Sequence, residues 1–201
     1  YKIKILISDD NSKDDTKKIA KQIYINNKSL IFLNINQKRL NYRGNIKFCI
    51  NFAINNHYDY AIMLHGDSQY NPKYIYSLIN KILKSQAAAV YGSRMLNKKN
   101  ALKGKMPLYK FLGNLILTKF FNFIHNTNFS DCHSGYWIYN LKYINKKLIK
   151  NLTNSISFDN QMRISLIKNY LKIKEIPIQT IYEDERSSFH FFYALKFIYE
   201  T

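Results

Sequence analysis

The chain has 201 residues, 31 of them Lys or Arg and 13 Asp or Glu, and its net charge of +18 favours polyanionic partners: nucleic acid, anionic lipid or phosphorylated substrates. An AT-rich coding bias would by itself enrich Lys, Asn, Ile, Tyr and Phe, so composition does not choose among them. No apolar run reaches about 18 residues, so no membrane span is expected, and Cys49 and Cys132 form no CxxC pair, which argues against a zinc knuckle and for a reduced, cytosolic setting.

In chain order, the spacing of apolar residues predicts a strand over 2–7, a helix over 14–24, a strand over 30–35 and a helix over 46–55. A strand over 60–64, a Pro-led helix over 72–84 and a strand over 87–91 follow. This alternation argues for an α/β fold with a mostly parallel sheet and helices on its faces. Only the connection 36–45 is long, and it is polar, with Arg39, Arg43 and Gly44.

The second half is less regular. Pro107 opens an aromatic helix to about His125, a polar loop covers 126–133, and a short strand is predicted over 136–139. Residues 141–152 and 159–171 read as helices, 173–178 as a late strand, 183–188 as a charged loop, and an amphipathic helix begins near His190. With no linker or repeat, the simplest organisation is one domain over 1–201. Because Tyr1 already lies inside an apolar strand, an N-terminal segment is expected to be missing.

Two acidic strand ends stand out. Asp9-Asp10-Asn11-Ser12 closes the first strand, and two adjacent carboxylates repel each other unless a ligand or cation compensates. A carboxylate there suits a base N–H or ribose hydroxyls, whereas Ser12 and Asp14 read more simply as helix caps. Downstream, Met63-Leu64-His65-Gly66-Asp67-Ser68-Gln69-Tyr70-Asn71-Pro72 carries a strand into a Gly-Asp turn. Open α/β sheets bind ligands at the carboxyl ends of their strands, so Asp67 is placed to hold Mg²⁺ or Mn²⁺ and, through it, a phosphate. Gly66 would let a ligand approach the backbone, and His65 is either a further metal ligand or a packing residue.

Gly92-Ser93-Arg94 follows the fourth strand, and Arg94 there is a candidate phosphate clamp or a surface arginine. Asp131-Cys132-His133-Ser134-Gly135-Tyr136-Trp137 groups an acid, an imidazole and a hydroxyl, but without a G-x-S-x-G elbow a hydrolase triad is not supported. Asp159 reads as a helix N-cap.

These motifs, in this order, resemble family 2 glycosyltransferases of the GT-A fold, especially the branch similar to dolichyl-phosphate mannose synthase. The resemblance is carried by Ile7-Ser8-Asp9-Asp10-Asn11-Ser12 with Asp15-Thr16, and by His65-Gly66-Asp67-Ser68-Gln69-Tyr70 with Pro72. Gly92-Ser93-Arg94, Asp131 with Ser134-Gly135-Tyr136, and Glu175-Ile176-Pro177-Ile178 complete it. It implies a UDP- or GDP-linked sugar donor, a divalent cation (Mn²⁺ or Mg²⁺) and inverting transfer to a polyprenyl phosphate or surface glycan. By resemblance, Asp9, Asp10, Ser12, Asp67 and Arg94 contact the donor, and Asp67 is the last acid of the family's D-x-D motif. Asp131, Ser134, Arg186 and Ser188 fall on the acceptor or phosphate side, with Arg186, Ser187 and Ser188 in a loop that closes over phosphate in the family. Asp159 matches an acid that precedes a helix in the family, and the resemblance implies it as the catalytic general base toward a hydroxyl acceptor.

Three departures accompany the resemblance. His65 stands where the first acid of that motif is usual, Trp137 replaces a frequent Arg, and the family's opening Pro-x-Tyr-Asn-Glu strand is absent. A cytoplasmic location, peripheral at the membrane's cytoplasmic face, is implied. The aromatic helix after Pro107, flanked by Lys103, Lys105, Lys110 and Lys119, is then either core or an interfacial helix meeting anionic lipid. The alternatives are a catalytically weak relative of the family and a basic nucleic-acid-binding protein, for which no recognition motif is found.

Overall fold

The computed structural model describes residues 2–152 and 158–182, which divide between Asn56 and His57 into two compact units. In the first, β1 (Ile5–Asp9) and β2 (Ile31–Ile35) are parallel, with Ile5 opposite Ile31 and Asp9 opposite Ile35. Parallel strands need a crossover, and α1 (Thr16–Asn26) supplies it. The helix α2 (Asn41–Asn55) buries Ile46 and Ile50, one turn apart on a single face.

α2 starts before the expected position because its first turn is capped from far away. The Asp10 carboxylate accepts the Leu40 N–H at 2.7 Å, satisfying one orphan amide and placing negative charge at the helix start. The polar stretch predicted as loop is therefore partly helical.

The second unit contains β3 (Tyr60–Ile62), a 3₁₀ turn (Pro72–Tyr74) running into α3 (Ile75–Ser85), β4 (Ala89–Ser93) and α4 (Lys98–Lys103). Next come α5 (Leu108–His125), β5 (Trp137–Asn140), α6 (Lys146–Asn151), α7 (Phe158–Lys168) and β6 (Ile173–Pro177). The sheet order is β3-β5-β4-β6. β4 and β6 are parallel, whereas β5 runs antiparallel to both β3 and β4, so this sheet is mixed. All five β4 residues are buried, as expected of an interior strand covered on both faces. The charged loop over 183–188 and the helix expected from His190 lie outside the described residues.

The core forms where α3 meets the sheet. Leu78 and Ile82, one turn apart, pack with Val90, Ile138, Ile176 and Ile178. Gly92 has a packing reason to be glycine: a Cβ there would stand 2.8 Å from both Cδ1 and Cγ2 of buried Ile178. Gly92→Ala should therefore cost about 1–3 kcal/mol through overpacking. Urea unfolding checks this, with Gly92→Ala/Ile178→Val expected to recover part of the loss; an unchanged midpoint in the single variant would refute the contact's importance.

Candidate active site

Strand direction decides which residues share an edge of the second sheet. With β5 antiparallel to β3 and β4, and β6 parallel to β4, the carboxyl ends of β3, β4 and β6 and the amino end of β5 lie on one edge. The segments carrying His65-Gly66-Asp67, Arg94 and Asp131 all leave the sheet there.

After β3 the chain forms an open cleft of about 200 Å³ lined by Leu64, His65, Gly66, Ser68, Tyr70, Asn71, Pro72 and Ile181. Asp67 is exposed between two lining residues. Its Oδ1 accepts the Gln69 N–H at 3.0 Å, closing an Asx turn that holds Ser68 at φ 61°. Asn71 then caps the 3₁₀ turn by accepting the Lys73 N–H at 2.9 Å, with Pro72 at the first position. A Cβ at Gly66 would meet nothing within 4 Å, so protein packing does not require glycine at this wall of the cleft.

His65 packs edge-on to Tyr70, ring centres 5.2 Å apart. Burial lowers its pKa and the neighbouring Asp67 partly opposes this, so the neutral imidazole, the form that binds metals, is favoured. Among the described residues, no three His, Cys, Asp or Glu side chains form a metal cage. Mg²⁺ and Mn²⁺ are commonly held by one or two carboxylates together with substrate phosphates, and an exposed Asp67 beside a neutral His65 fits that mode.

Tyr70 links the cleft to the Ser134-Gly135-Tyr136 turn. Its hydroxyl accepts the Gly135 N–H at 2.9 Å, and Tyr136 Oη donates to the Asn71 carbonyl at 3.3 Å. Ser134 is fully buried, and its carbonyl accepts Trp137 Nε1–H at 2.8 Å.

Arg94 turns inward. Its Nε and Nη2 donate to the two oxygens of Asp131 at 2.7 and 2.9 Å, and Nη1 donates to Tyr182 Oη at 3.0 Å. The Asp131 carboxylate also accepts the backbone N–H groups of Arg94 and His133. Burial opposes ionisation of Asp131, but Arg94 beside it wins and holds the carboxyl well below its usual range. The two candidates assigned to opposite substrates thus form one buried, bidentate pair. Next to it, Glu175 accepts from Ser130 N and Oγ at 2.9 and 2.8 Å and from the Tyr91 hydroxyl.

In the first unit, Asp9 is buried and its Oδ1 accepts the Ser12 N–H at 3.1 Å, so Ser12 contributes its amide there. Asp10 accepts from Asn36 Nδ2 at 2.9 Å as well as from Leu40, so the adjacent carboxylates bind separate sets of donors. Neither Ser12 nor Asp14 is the N-cap of α1: the helix begins at Thr16, Asp15 holds that position, and Asp14, one residue earlier, accepts the Thr16 N–H.

Asp159 lies in the first turn of α7, close enough to Tyr139 and Arg163 to act on both electrostatically. Arg186 and Ser188 lie outside the described residues. Sequence reading missed Tyr70, which it quoted only within a motif, and Arg163, which it did not single out. The one signal for Arg163 was an arginine one turn after Asp159, set between apolar Met162 and Ile164.

His133 is half-buried beside these charges, with its Nε2 enclosed. Burial pushes its pKa down to about 4; Asp131 opposes this, while Arg94 and Arg163 add to it. Between pH 6.5 and about 4 the unfolded chain takes up a proton that the fold refuses, so stability falls as pH falls through that window and is complete above it. The limit is on the order of 3 kcal/mol, and His65 shifts in the same direction. Urea midpoints from pH 7 to 4 should decline, and His133→Gln should flatten the decline; an unchanged slope would show that His133 titrates normally.

Residues 1–148 match the sequence profile described as Glycosyl transferase family 2. An uncharacterized protein of Methanocaldococcus jannaschii is 30% identical over 182 residues, covering 90% of this chain and 71% of that protein. The low-salt glycan biosynthesis hexosyltransferase Agl6 of Haloferax volcanii is 30% identical over 121 residues, 60% of this chain and 28% of that protein. The UDP-N-acetylglucosamine–dolichyl-phosphate N-acetylglucosaminyltransferase of Methanococcus voltae is 30% identical over 131 residues, 63% of this chain and 49% of that protein.

Proposed function

The chain belongs to glycosyl transferase family 2, and on that premise we propose that it moves a hexose, with inversion, from a nucleotide-sugar donor to a polyprenyl phosphate or a growing surface glycan. That it is a glycosyltransferase follows from the family, and its mixed α/β architecture agrees with the GT-A fold. The single observation carrying the finer reading is the cleft after β3, with Asp67 exposed at its turn. The Methanococcus voltae relative's name pairs UDP-N-acetylglucosamine with dolichyl phosphate, which favours a UDP donor over a GDP donor and a lipid phosphate over a glycan.

In the proposed reaction the bond from the sugar's anomeric carbon to the donor's diphosphate oxygen breaks. The electron pair leaves with the nucleoside diphosphate, and an acceptor oxygen forms the new bond from the opposite face. A phosphate acceptor is already anionic and needs no base; a hydroxyl acceptor gives its proton to a carboxylate, the role assigned to Asp159. Asp67, with His65, would hold a Mn²⁺ or Mg²⁺ ion, which neutralises charge on the departing diphosphate.

Asp67→Asn keeps the shape of the Asx turn and loses the charge, so metal-dependent donor binding should vanish with little change in melting temperature. Thermal shift with UDP- and GDP-hexoses, with and without Mn²⁺, checks this. His65→Asp should retain or increase Mn²⁺ dependence, and unchanged turnover in Asp67→Asn would reduce that residue to a turn former.

We further propose that α5 meets the membrane surface at its cytoplasmic face. No helix among the described residues is long and apolar enough to cross a membrane. Yet α5 buries Leu117, Thr118 and Phe121 on one side while Leu108, Ile116 and Phe123 on the other are 66, 67 and 86% exposed. Lys119 is exposed on the same side as Ile116 and Phe123, whereas Lys110 packs over the Tyr182 ring at 5.3 Å; each Lys near an anionic surface adds about 1 kcal/mol. Sedimentation with phosphatidylserine vesicles, reversed by high salt, is expected. Ile116→Ser/Phe123→Ser should abolish it if the helix inserts; binding that survives would be purely electrostatic, and native protein that stays in the supernatant would refute the contact.

A further inference from the structure

Arg163, in α7, is wholly buried. Four rings surround its guanidinium: Tyr91 and Trp137 at 4.9 Å, Phe129 at 5.4 Å and Phe121 at 5.6 Å. Nη1 donates to the Cys132 carbonyl at 2.9 Å and to Asn160 Oδ1 at 2.5 Å, and Nη2 donates to the Asp131 carbonyl at 3.4 Å. Its Nε is buried with no hydrogen-bond partner among the described residues. A core that needed only volume would hold Met or Leu there at lower cost, because a buried cation must recover its lost hydration.

The carbonyls it binds explain the charge. Asp131 is gripped at both ends: Arg94 holds its carboxylate, and Arg163 holds its carbonyl. The helix that carries Arg163 also carries Asp159 in its first turn. We infer that Arg163 is a positioning residue of the transferase site, tying the Asp159 helix to the Asp131–Cys132 backbone and, through Asp131, fixing Arg94. The catalytic consequence rests on the glycosyltransferase reading; the tie itself does not.

Arg163→Met fills similar volume and can pack against the rings while removing every donor. It should fold with a melting temperature near the native one. The amides of Arg94 and His133, which donate to the Asp131 carboxylate, should exchange about tenfold faster, with α3 amides unchanged. Release of UDP or GDP from nucleotide-hexose, assayed with dolichyl phosphate, should show kcat down roughly tenfold to a hundredfold and donor KM within about twofold. Arg163→Lys, able to reach one carbonyl, should lie between and replaces the Met variant if that one does not fold. A folded variant with native exchange at both amides and native kcat would overturn the inference. Wild-type protein that turns over no nucleotide-hexose would sink the functional reading, and the exchange data would still decide the tie.

Discussion

The buried pair Arg94–Asp131 is the constraint on which the arrangement of the second unit's sheet edge depends. Nε and Oδ2 are 2.7 Å apart, with side chains 8 and 0% exposed. The pair closes a ring of contacts that begins in the sheet: β4 and β5 are antiparallel, so the residues just after β4 and those before β5 emerge together. Tyr182, beyond β6, joins through its hydroxyl. Removing one member of such a pair strands a charge and typically costs about 3–5 kcal/mol, more than most single contacts contribute. The Gly-Ser-Arg and Asp motifs therefore act first as architecture, whatever else they contact.

Beside that pair stands a second buried cation with a different solution. Burial opposes the charge of Arg163, yet Cys132, Tyr91, Asp131 and Asp159 hold its pKa above the ordinary arginine value. Ring faces and carbonyl oxygens do much of the work that a carboxylate does for Arg94. Cation–π contacts are worth more when desolvated, about 2 kcal/mol against less than 1 kcal/mol at exposed sites. Trp137, with its ring 4.9 Å from the guanidinium, forms one wall of this box.

Apart from α4, which sequence reading left out, the order of strands and helices was legible because apolar residues recur at strand or helix spacing between turn residues. The direction of β5 was not: its four residues are apolar whichever way they run, and only pairing on both sides fixes it. The start of α2 was hidden because its cap, Asp10, is 30 residues before Leu40. The same limit applied at the candidate site. Residue type placed Arg94 at a strand end correctly, while β3 stops at Ile62 and leaves Asp67 in the segment beyond it; nothing local says that Asp67 faces solvent and Arg94 faces Asp131. That choice is made by which partner waits on the neighbouring strand.

The unequal exposure of these two residues bears on how a cation would bind. Asp131 already accepts four hydrogen bonds and has Arg94 as counter-ion, so it is not available to a metal without breaking the pair. On the proposed reading that leaves one carboxylate, Asp67, and one neutral imidazole, His65, too few for a hard divalent cation that seeks six oxygen-rich ligands. The missing ligands would come from the donor's diphosphate and from water. Metal and donor would then bind as a pair, each raising the other's affinity by the same factor, since coupling between two ligands is reciprocal. A sequence with an acid at both positions of the motif could hold its metal before the donor arrives. On the same reading, His65 would shift this chain toward holding it only with the donor.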